Sequence, residues 1–187
     1  MRLNKESGNL FNLVVPVGSI ILLFVLILYV VTEKNIYSER DYVENGLAAA
    51  TLSGAVADLD LYGSTGIIKV KDPNKAYEDF VKSLKNNLNL DNNLYPMGKS
   101  LIISDVKVDS YIIYNVSNND VEEINVTNGV RTIIEHTSEK GKLKSPRGDI
   151  INNSSIYSKI SFTIGVMNIN YDKASKECLV DITDKEE

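Results

Sequence analysis

The chain has 187 residues, a formal net charge of −5 and 43% hydrophobic residues, which is typical of a folded domain and not of a disordered tail. The acidic balance argues against nucleic acid as the main partner. Because Cys178 is the sole cysteine, no disulfide can form within the chain.

An uncharged apolar segment at residues 10–31 dominates the N-terminal part of the sequence. At ~1.5 Å per residue, roughly 22 residues make a helix of about 33 Å, enough to cross a bilayer core. The segment is apolar on all sides, which is typical of a membrane span. A cleaved secretory signal has a shorter apolar core, about 7–15 residues, and small residues at its cleavage site. We therefore expect an uncleaved single-pass anchor, with the lipid bilayer as one partner.

The charges that flank this segment predict its orientation. Arg2 and Lys5 precede it, and Lys34 follows it beside Glu33. Because cytoplasmic flanks carry an excess of Lys and Arg, residues 1–9 are predicted to form a short cytoplasmic tail. Residues 32–187 are then an exported domain. An exported domain without disulfides indicates a bacterial or archaeal surface.

Pro16 and Gly18 lie in the first half of the predicted span. A proline removes one backbone hydrogen bond and usually kinks a helix, so one interpretation is a hinge or a locally unwinding segment. The other interpretation is ordinary tolerance, because Gly and Pro are common in membrane helices. We favour tolerance.

The helix is predicted to continue beyond the membrane through residues 32–59. No proline interrupts this stretch, and its apolar and small residues recur at helical spacing. Gly46, Ala50 and Gly54 repeat every four residues, which lets another backbone approach one face of the helix. Two interpretations are equally favoured: packing on the chain's own sheet, or packing against other subunits in a homo- or hetero-oligomer.

A proline-containing span followed by LAAATLSGAVADL at residues 47–59 resembles the TadE/TadG proteins of tight-adherence pili. The resemblance covers residues 8–60 and implies a pseudopilin-like protein, with a long N-terminal helix and a β-rich exported domain. In that family a peptidase cuts after a glycine, which implies a processing site at Gly8 and Asn9. Leu13 occupies the fifth position after the cut, where the family has glutamate, so we expect inefficient or absent cleavage.

After the long helix, residues 60–66 are predicted to form a turn and residues 67–70 a short strand. Asp72 and Pro73 are typical of the N-cap and the first position of a helix. An apolar face at helical spacing follows, and the Asn-rich residues 86–89 are typical of a helix end.

From Ser100 onward the apolar residues alternate, which is typical of β-strands. Asn128-Gly129 predicts a two-residue hairpin loop that pairs Ile124 with Ile133 and places Glu122 opposite Glu135. The strand before this hairpin is predicted to have one apolar face, made of Ile102, Val106, Val108, Ile112, Tyr114 and Val116.

Two further strands are predicted at residues 156–166 and 177–182, with a turn at residues 172–176 between them. The order of helices followed by antiparallel strands predicts an α+β fold, in which a long transmembrane helix continues into an exported domain with a second helix and an antiparallel sheet.

No catalytic or cofactor motif occurs in the sequence: there is no Gly-x-Ser-x-Gly, no His-Glu-x-x-His and no phosphate-binding glycine loop. His136 and Cys178 are interpreted as structural strand residues. Asp58 and Asp60 are interpreted as solvated acids and not as calcium ligands. The basic loop at residues 140–147 is either solvated, which we favour, or a contact for an anionic polymer or lipid. We expect no enzyme activity, cofactor or metal.

These observations favour a pilin-like component or assembly factor of a tight-adherence-type surface pilus, with other pilin-like subunits as partners. The alternative is an exported scaffold subunit of a conjugation or type IV secretion channel. A receptor or an enzyme is disfavoured, because the cytoplasmic tail is short and catalytic motifs are absent.

Overall fold

The computed structural model describes residues 7–98, 100–127, 130–166 and 170–183. Within them, helices precede strands in an α+β arrangement, as predicted. The elements are α1 (Ser7–Ser53), α2 (Leu59–Thr65), α3 (Pro73–Asn87), β1 (Lys107–Ser117), β2 (Asp120–Thr127), β3 (Val130–His136), β4 (Ser155–Val166) and β5 (Asn170–Asp181). The chain divides into two compact units, Met1–Arg40 and Asp41–Glu187, which are described separately.

The first unit consists of the N-terminal part of α1. All side chains from Leu13 to Val31 are exposed, although nearly all of them are apolar. Among the described residues, α1 is the one helix that is long and apolar enough to cross a membrane. Its length and composition therefore suit a membrane span.

The end of α1 differs from the prediction, because the helix stops at Ser53 and not at residue 59. Beyond it, the backbone pairs with the segment that precedes α3: Asp58 donates its N–H to the carbonyl oxygen of Lys69 at 2.8 Å, and Ala57 bridges Val70. These contacts replace the hydrogen bonds that would have extended the helix.

Residues 60–66, predicted as a turn, largely belong to the short helix α2. The Asp58 side chain caps this helix by accepting the N–H groups of Asp60 and Leu61. The strand predicted at residues 67–70 is also wrong, since only Val70 forms a bridge there. Helix α3 begins as predicted, with the Asp72 side chain as its cap and Pro73 in its first turn.

The five strands form one antiparallel sheet in the order β3-β2-β1-β4-β5. Asn128 and Gly129 lie outside the described residues, but Thr127 pairs with Val130 on either side of them. The predicted pairings of Ile124 with Ile133 and of Glu122 with Glu135 are confirmed.

A β-bulge in β1 changes which side chains share a face. Val108 pairs with Ile160, but Ser110 already pairs with Lys159, so Asp109 is an extra residue in β1. The extra residue shifts the alternation by one position, and the prediction of a single apolar face is therefore wrong. Val106 and Val108 belong to one cluster with Tyr111 and Ile113, whereas Ile112, Tyr114 and Val116 belong to the cluster on the other face.

The last strand is longer than predicted. Residues 172–176, predicted as a turn, pair with β4, from Asp172 opposite Ile164 to Lys176 opposite Ile160. β5 is an edge strand, where polar residues are tolerated, and its Asp and Lys residues made this part of the strand look like a turn.

Two apolar clusters cover the two faces of the sheet. On one face, α1 and α3 contribute Val43, Leu47, Ala50, Ala76, Phe80 and Leu84 to the larger cluster. On the other face, Ile151 and Leu143 from the loop between β3 and β4 cover the smaller cluster. The central strand β1 is buried on both faces from Tyr111 to Val116.

Candidate functional site

The candidate kink at Pro16 and Gly18 lies within α1, and the helix continues past both residues. A Cβ added to Gly18 would have no atom of the described residues within 4 Å. Close by, the Ser19 hydroxyl donates to the carbonyl oxygen of Val15 at 2.9 Å. Ordinary tolerance of the two residues, which we favour, stays a prediction, and a hinge motion stays the alternative.

The predicted processing site also lies in α1, since Gly8 and Asn9 follow its first residue. Their surroundings lie outside the part of the chain whose side chains are described. That cleavage after Gly8 is inefficient or absent stays a prediction.

The small-residue face of Gly46, Ala50 and Gly54 lies in the second unit, where all three residues are buried. A Cβ on Gly46 would come within 2.5 Å of the Leu88 side chain at the end of α3. A Cβ on Gly54 would meet the phenol oxygen of Tyr111 and the carbonyl oxygen of Ala76. The space beside these small residues is therefore filled by α3 and β1 of the same chain.

A buried polar contact joins α1 to the sheet. The Thr51 hydroxyl contacts the Ser158 hydroxyl of β4 at 2.5 Å and donates to the carbonyl oxygen of Leu47 at 2.8 Å. Both hydroxyl-bearing residues are fully buried. On the neighbouring face of α1, the Ser53 hydroxyl donates to the carbonyl oxygen of Ala50 at 2.6 Å and lies 3.2 Å from the carbonyl oxygen of Asp79 in α3. The C-terminal end of α1 thus has polar contacts with both the sheet and α3.

The segment between α2 and α3 is tied to the sheet by Ser154 and Asn115. The Ser154 hydroxyl donates to the carbonyl oxygen of Ile68 and accepts the N–H of Val116. Asn115 accepts the N–H of Val70 at 2.8 Å through its carbonyl oxygen and donates to a carboxylate oxygen of Glu122 at 3.0 Å.

The basic loop borders a polar cleft of about 370 Å³, which lies between residues 65–68, Lys140 and residues 152–154. Within the loop, Lys142 donates to the carbonyl oxygen of Ser138, and Arg147 pairs with Asp149 at 3.0 Å. Such local partners are typical of a solvated loop. Binding of an anionic polymer or lipid stays a hypothesis.

His136 and Cys178 both lie in strands. His136 contacts a carboxylate oxygen of Glu123 on the neighbouring strand at 3.1 Å. Cys178 is half-buried in β5, and burial raises the pKa of its thiol. Among the residues that the structure describes, no cluster of three or more His, Cys, Asp or Glu side chains is placed to hold a metal ion.

Three aromatic rings meet where α3, which carries Tyr77 and Phe80, packs on Tyr111 of β1. The ring centre of Tyr111 lies 4.8 Å from that of Phe80 and 5.3 Å from that of Tyr77. Burial raises the pKa of Tyr111 well above the ordinary value near 10. Its hydroxyl is buried, and within the described part of the chain it has no hydrogen-bond partner.

Sequence reasoning missed the exposed apolar side chains of the edge strand β3. Val130, Ile133 and Ile134 are 68%, 48% and 43% exposed. The adjacent pair Ile133-Ile134 was the available signal, because consecutive strand residues point to opposite faces and one of the pair has to lie on each. The structure thus gathers Gly46, Ala50 and Gly54 on one buried face and leaves a separate apolar edge at β3.

Comparisons of the chain with protein-family models, curated proteins and solved structures give no match.

Proposed function

We propose that the chain is a non-enzymatic, pilin-like component or assembly factor of a tight-adherence-type surface pilus, anchored by α1 with its α+β domain outside the cytoplasm. The observation that carries the proposal is the division of α1 into two kinds of surface. From Leu13 to Val31 its apolar side chains are exposed, whereas from Val43 to Thr51 one face is buried in the domain. The TadE/TadG resemblance implies this arrangement, in which one long helix spans the membrane and continues into a β-rich domain.

The orientation within this proposal is supported by Arg2 and Lys5, which favour a cytoplasmic N-terminus. The domain is then exposed at the cell surface, where other subunits can reach it. Because Gly46, Ala50 and Gly54 pack within the domain, contacts with other subunits use different surfaces. The exposed apolar part of α1 and the outer surface of the domain are the available ones.

The second candidate, an exported scaffold subunit of a conjugation or type IV secretion channel, is favoured by one feature of the sheet. The bulge at Asp109 lies in the central region of the antiparallel sheet, and bulges bend the strands that carry them. Helices followed by a curved antiparallel sheet resemble the exported domain of such a scaffold subunit.

A deletion experiment in the native host tests the proposal. The gene is deleted and complemented either with the full chain or with a chain whose residues 1–31 are replaced by a cleavable secretion signal. Filaments are sheared from the cells and counted by electron microscopy, while DNA transfer and secretion are measured in the same strains.

The expected result is a loss of filaments on deletion, rescued by the full chain but not by the unanchored domain. Normal filament numbers in the deletion strain would refute the pilus role. A loss of DNA transfer or secretion with normal filaments would favour the second candidate instead.

A further inference from the structure

β3 is an edge strand with little protection against pairing with another chain. Among the described residues only β2 pairs with it, and the six consecutive residues 130–135 have exposed side chains. Exposed edges are normally protected by charged side chains, above all Lys, by Pro or by a bulge. β3 contains neither Pro nor Lys, its two charged residues Arg131 and Glu135 have opposite signs, and its pairing with β2 runs without a register shift from Val130 to His136.

The short connections on either side of β2 determine which backbone groups of β3 face outward. A two-residue loop closes on a hydrogen-bonded pair, here Thr127 with Val130. Hydrogen-bonded and non-hydrogen-bonded pairs alternate along an antiparallel ladder. The N–H and C=O groups of Arg131, Ile133 and Glu135 therefore point away from β2.

The connection between β1 and β2 gives the same assignment independently. Ser117 pairs with Asp120 across two residues, so Asp120 and every second residue after it bond to β1. The intervening residues of β2, among them Asn125 and Thr127, then bond to β3. This agrees with Thr127 and Val130 being a hydrogen-bonded pair.

The charges of β3 are complementary to those of an antiparallel copy of itself. In a symmetric pair, the residues whose N–H and C=O groups point outward have to lie opposite one another. A pair centred on Ile133 meets this condition along the whole strand. Arg131 then faces Glu135 of the second copy at both ends, and Ile133 faces its own equivalent. This register gives about six interchain backbone hydrogen bonds. Registers displaced by two residues separate both Arg–Glu pairs.

Glu135 also has an unfavourable neighbour within its own chain. It lies opposite Glu122 on β2, and like charges in facing positions are destabilising. Glu122 has Lys69 within 3.9 Å, but no ion pair joins Glu135 or Arg131 to any described residue. An arginine from a second copy would place a cation beside Glu135.

We infer that two copies of this chain pair through their β3 edges, antiparallel and centred on Ile133, to form one continuous sheet. The inference does not depend on the pilus proposal, since the surface lies on the domain itself. Two seven-residue strands bury less than the roughly 1,600 Å² of a standard interface, so the pairing is weak at low concentration. The proposed anchoring by α1 would confine both copies to one membrane, and this would raise their effective concentration and favour the pairing.

Single cysteines along β3 test the register in the full chain, reconstituted in liposomes and oxidised with copper phenanthroline. In a hydrogen-bonded antiparallel pair, facing Cα atoms are about 5.5 Å apart, within disulfide range. Ile133→Cys should therefore give a predominant disulfide-linked dimer. Val130→Cys is the matched control, an exposed apolar residue of the same strand whose equivalents would lie roughly 20 Å apart. The wild-type chain, with Cys178 alone, gives the background.

Charge reversal supplies a second measurement in the Ile133→Cys chain. Arg131→Glu or Glu135→Arg alone should reduce the dimer, and the two substitutions combined should restore it, because the ion pairs re-form with opposite polarity. Equal crosslinking at Val130→Cys and Ile133→Cys would indicate random collision and overturn the inference. No crosslinking at Ile133→Cys, as expected if the edge binds a different protein or nothing, would also overturn it.

Discussion

The α-carbon of Gly54 lies against the phenol of Tyr111 so closely that a Cβ on residue 54 would clash with its oxygen and lie 2.8 Å from the carbonyl oxygen of Ala76. Gly54 follows the last residue of α1, and Tyr111 lies in the central strand of the sheet. This contact decides between the two interpretations of the small-residue face, because the neighbouring backbone belongs to the same chain.

We predict that Gly54→Ala destabilises the domain by about 1–3 kcal/mol, as overpacking of a filled core usually does. Gly54→Leu should prevent the domain from folding. The measurement is denaturant unfolding of the full chain in detergent, followed by the tyrosine signal of the sheet. Gly63→Ala is the matched control, because a Cβ at residue 63 in α2 meets no atom within 4 Å and replaces glycine in a helix. Equal stability of the two alanine variants would contradict the prediction.

The buried contact between Thr51 and Ser158 gives a prediction in the form of a double-mutant cycle. Thr51→Val keeps the side-chain shape but leaves the Ser158 hydroxyl buried without its partner, which costs about 1–3 kcal/mol. Ser158→Ala should cost less, because Thr51 keeps its bond to Leu47. The double variant should be more stable than the sum of the single losses predicts. Additive losses would show that the two hydroxyls are not coupled.

Stability at alkaline pH should depend on the buried tyrosines. Burial raises the pKa of Tyr111, Tyr114 and Tyr157, so the unfolded chain loses these protons first, near pH 10. The stability that they contribute is present below about pH 10 and is lost as the pH rises further. We expect Tyr111→Phe to reduce this alkaline loss.

At pH 7 the same substitution should cost little, because the Tyr111 hydroxyl has no hydrogen-bond partner among the described residues. Tyr157→Phe is the contrast, since its hydroxyl donates to Glu177 at 2.7 Å and its removal should cost about 1 kcal/mol. Unfolding free energies between pH 7 and pH 11 measure both effects. An identical pH profile for Tyr111→Phe and the wild type would show that Tyr111 does not contribute to the alkaline loss of stability.

The sequence predicted local features of this fold better than contacts between distant residues. The Asn128-Gly129 loop predicted the pairing of β2 with β3, because turn length determines the register of a hairpin. The extra residue Asp109 has no local signal in the sequence. Without it, the side chains of β1 after the bulge are assigned to the wrong faces of the sheet. Likewise, nothing near Gly54 in the sequence indicates that Tyr111 fills the space beside it.

The predicted topology can be tested with single cysteines and a membrane-impermeant maleimide. Ser64→Cys, at an exposed position of α2, should react in intact cells or wall-stripped protoplasts. Asn4→Cys should react only after lysis, because Arg2 and Lys5 favour a cytoplasmic N-terminus. The wild-type chain gives the background from half-buried Cys178. The reverse pattern of labelling would show that the orientation is wrong.

Processing at Gly8 can be followed by mass spectrometry of the protein from its native host. We expect the predominant species to retain residues 1–8, since Leu13 stands where the peptidase of the TadE/TadG family meets glutamate. Leu13→Glu should increase the species that begins at Asn9 in a host with a prepilin peptidase. A wild-type chain that begins mainly at Asn9 would contradict the prediction and strengthen the pseudopilin interpretation.

The burial of β1 on both faces has a consequence for how the sheet finds its alignment during folding. A strand with one polar face resists slippage, because a one-residue shift would turn its apolar side chains into solvent. From Tyr111 to Val116 that restraint is weak, since either face is apolar and covered. Asn115 supplies a different restraint, because its side-chain amide hydrogen-bonds to Val70 and Glu122 only in the observed alignment. A slipped strand would leave that amide buried without partners, at a cost of about 1–3 kcal/mol, so one polar side chain selects the correct pairing of the central strand.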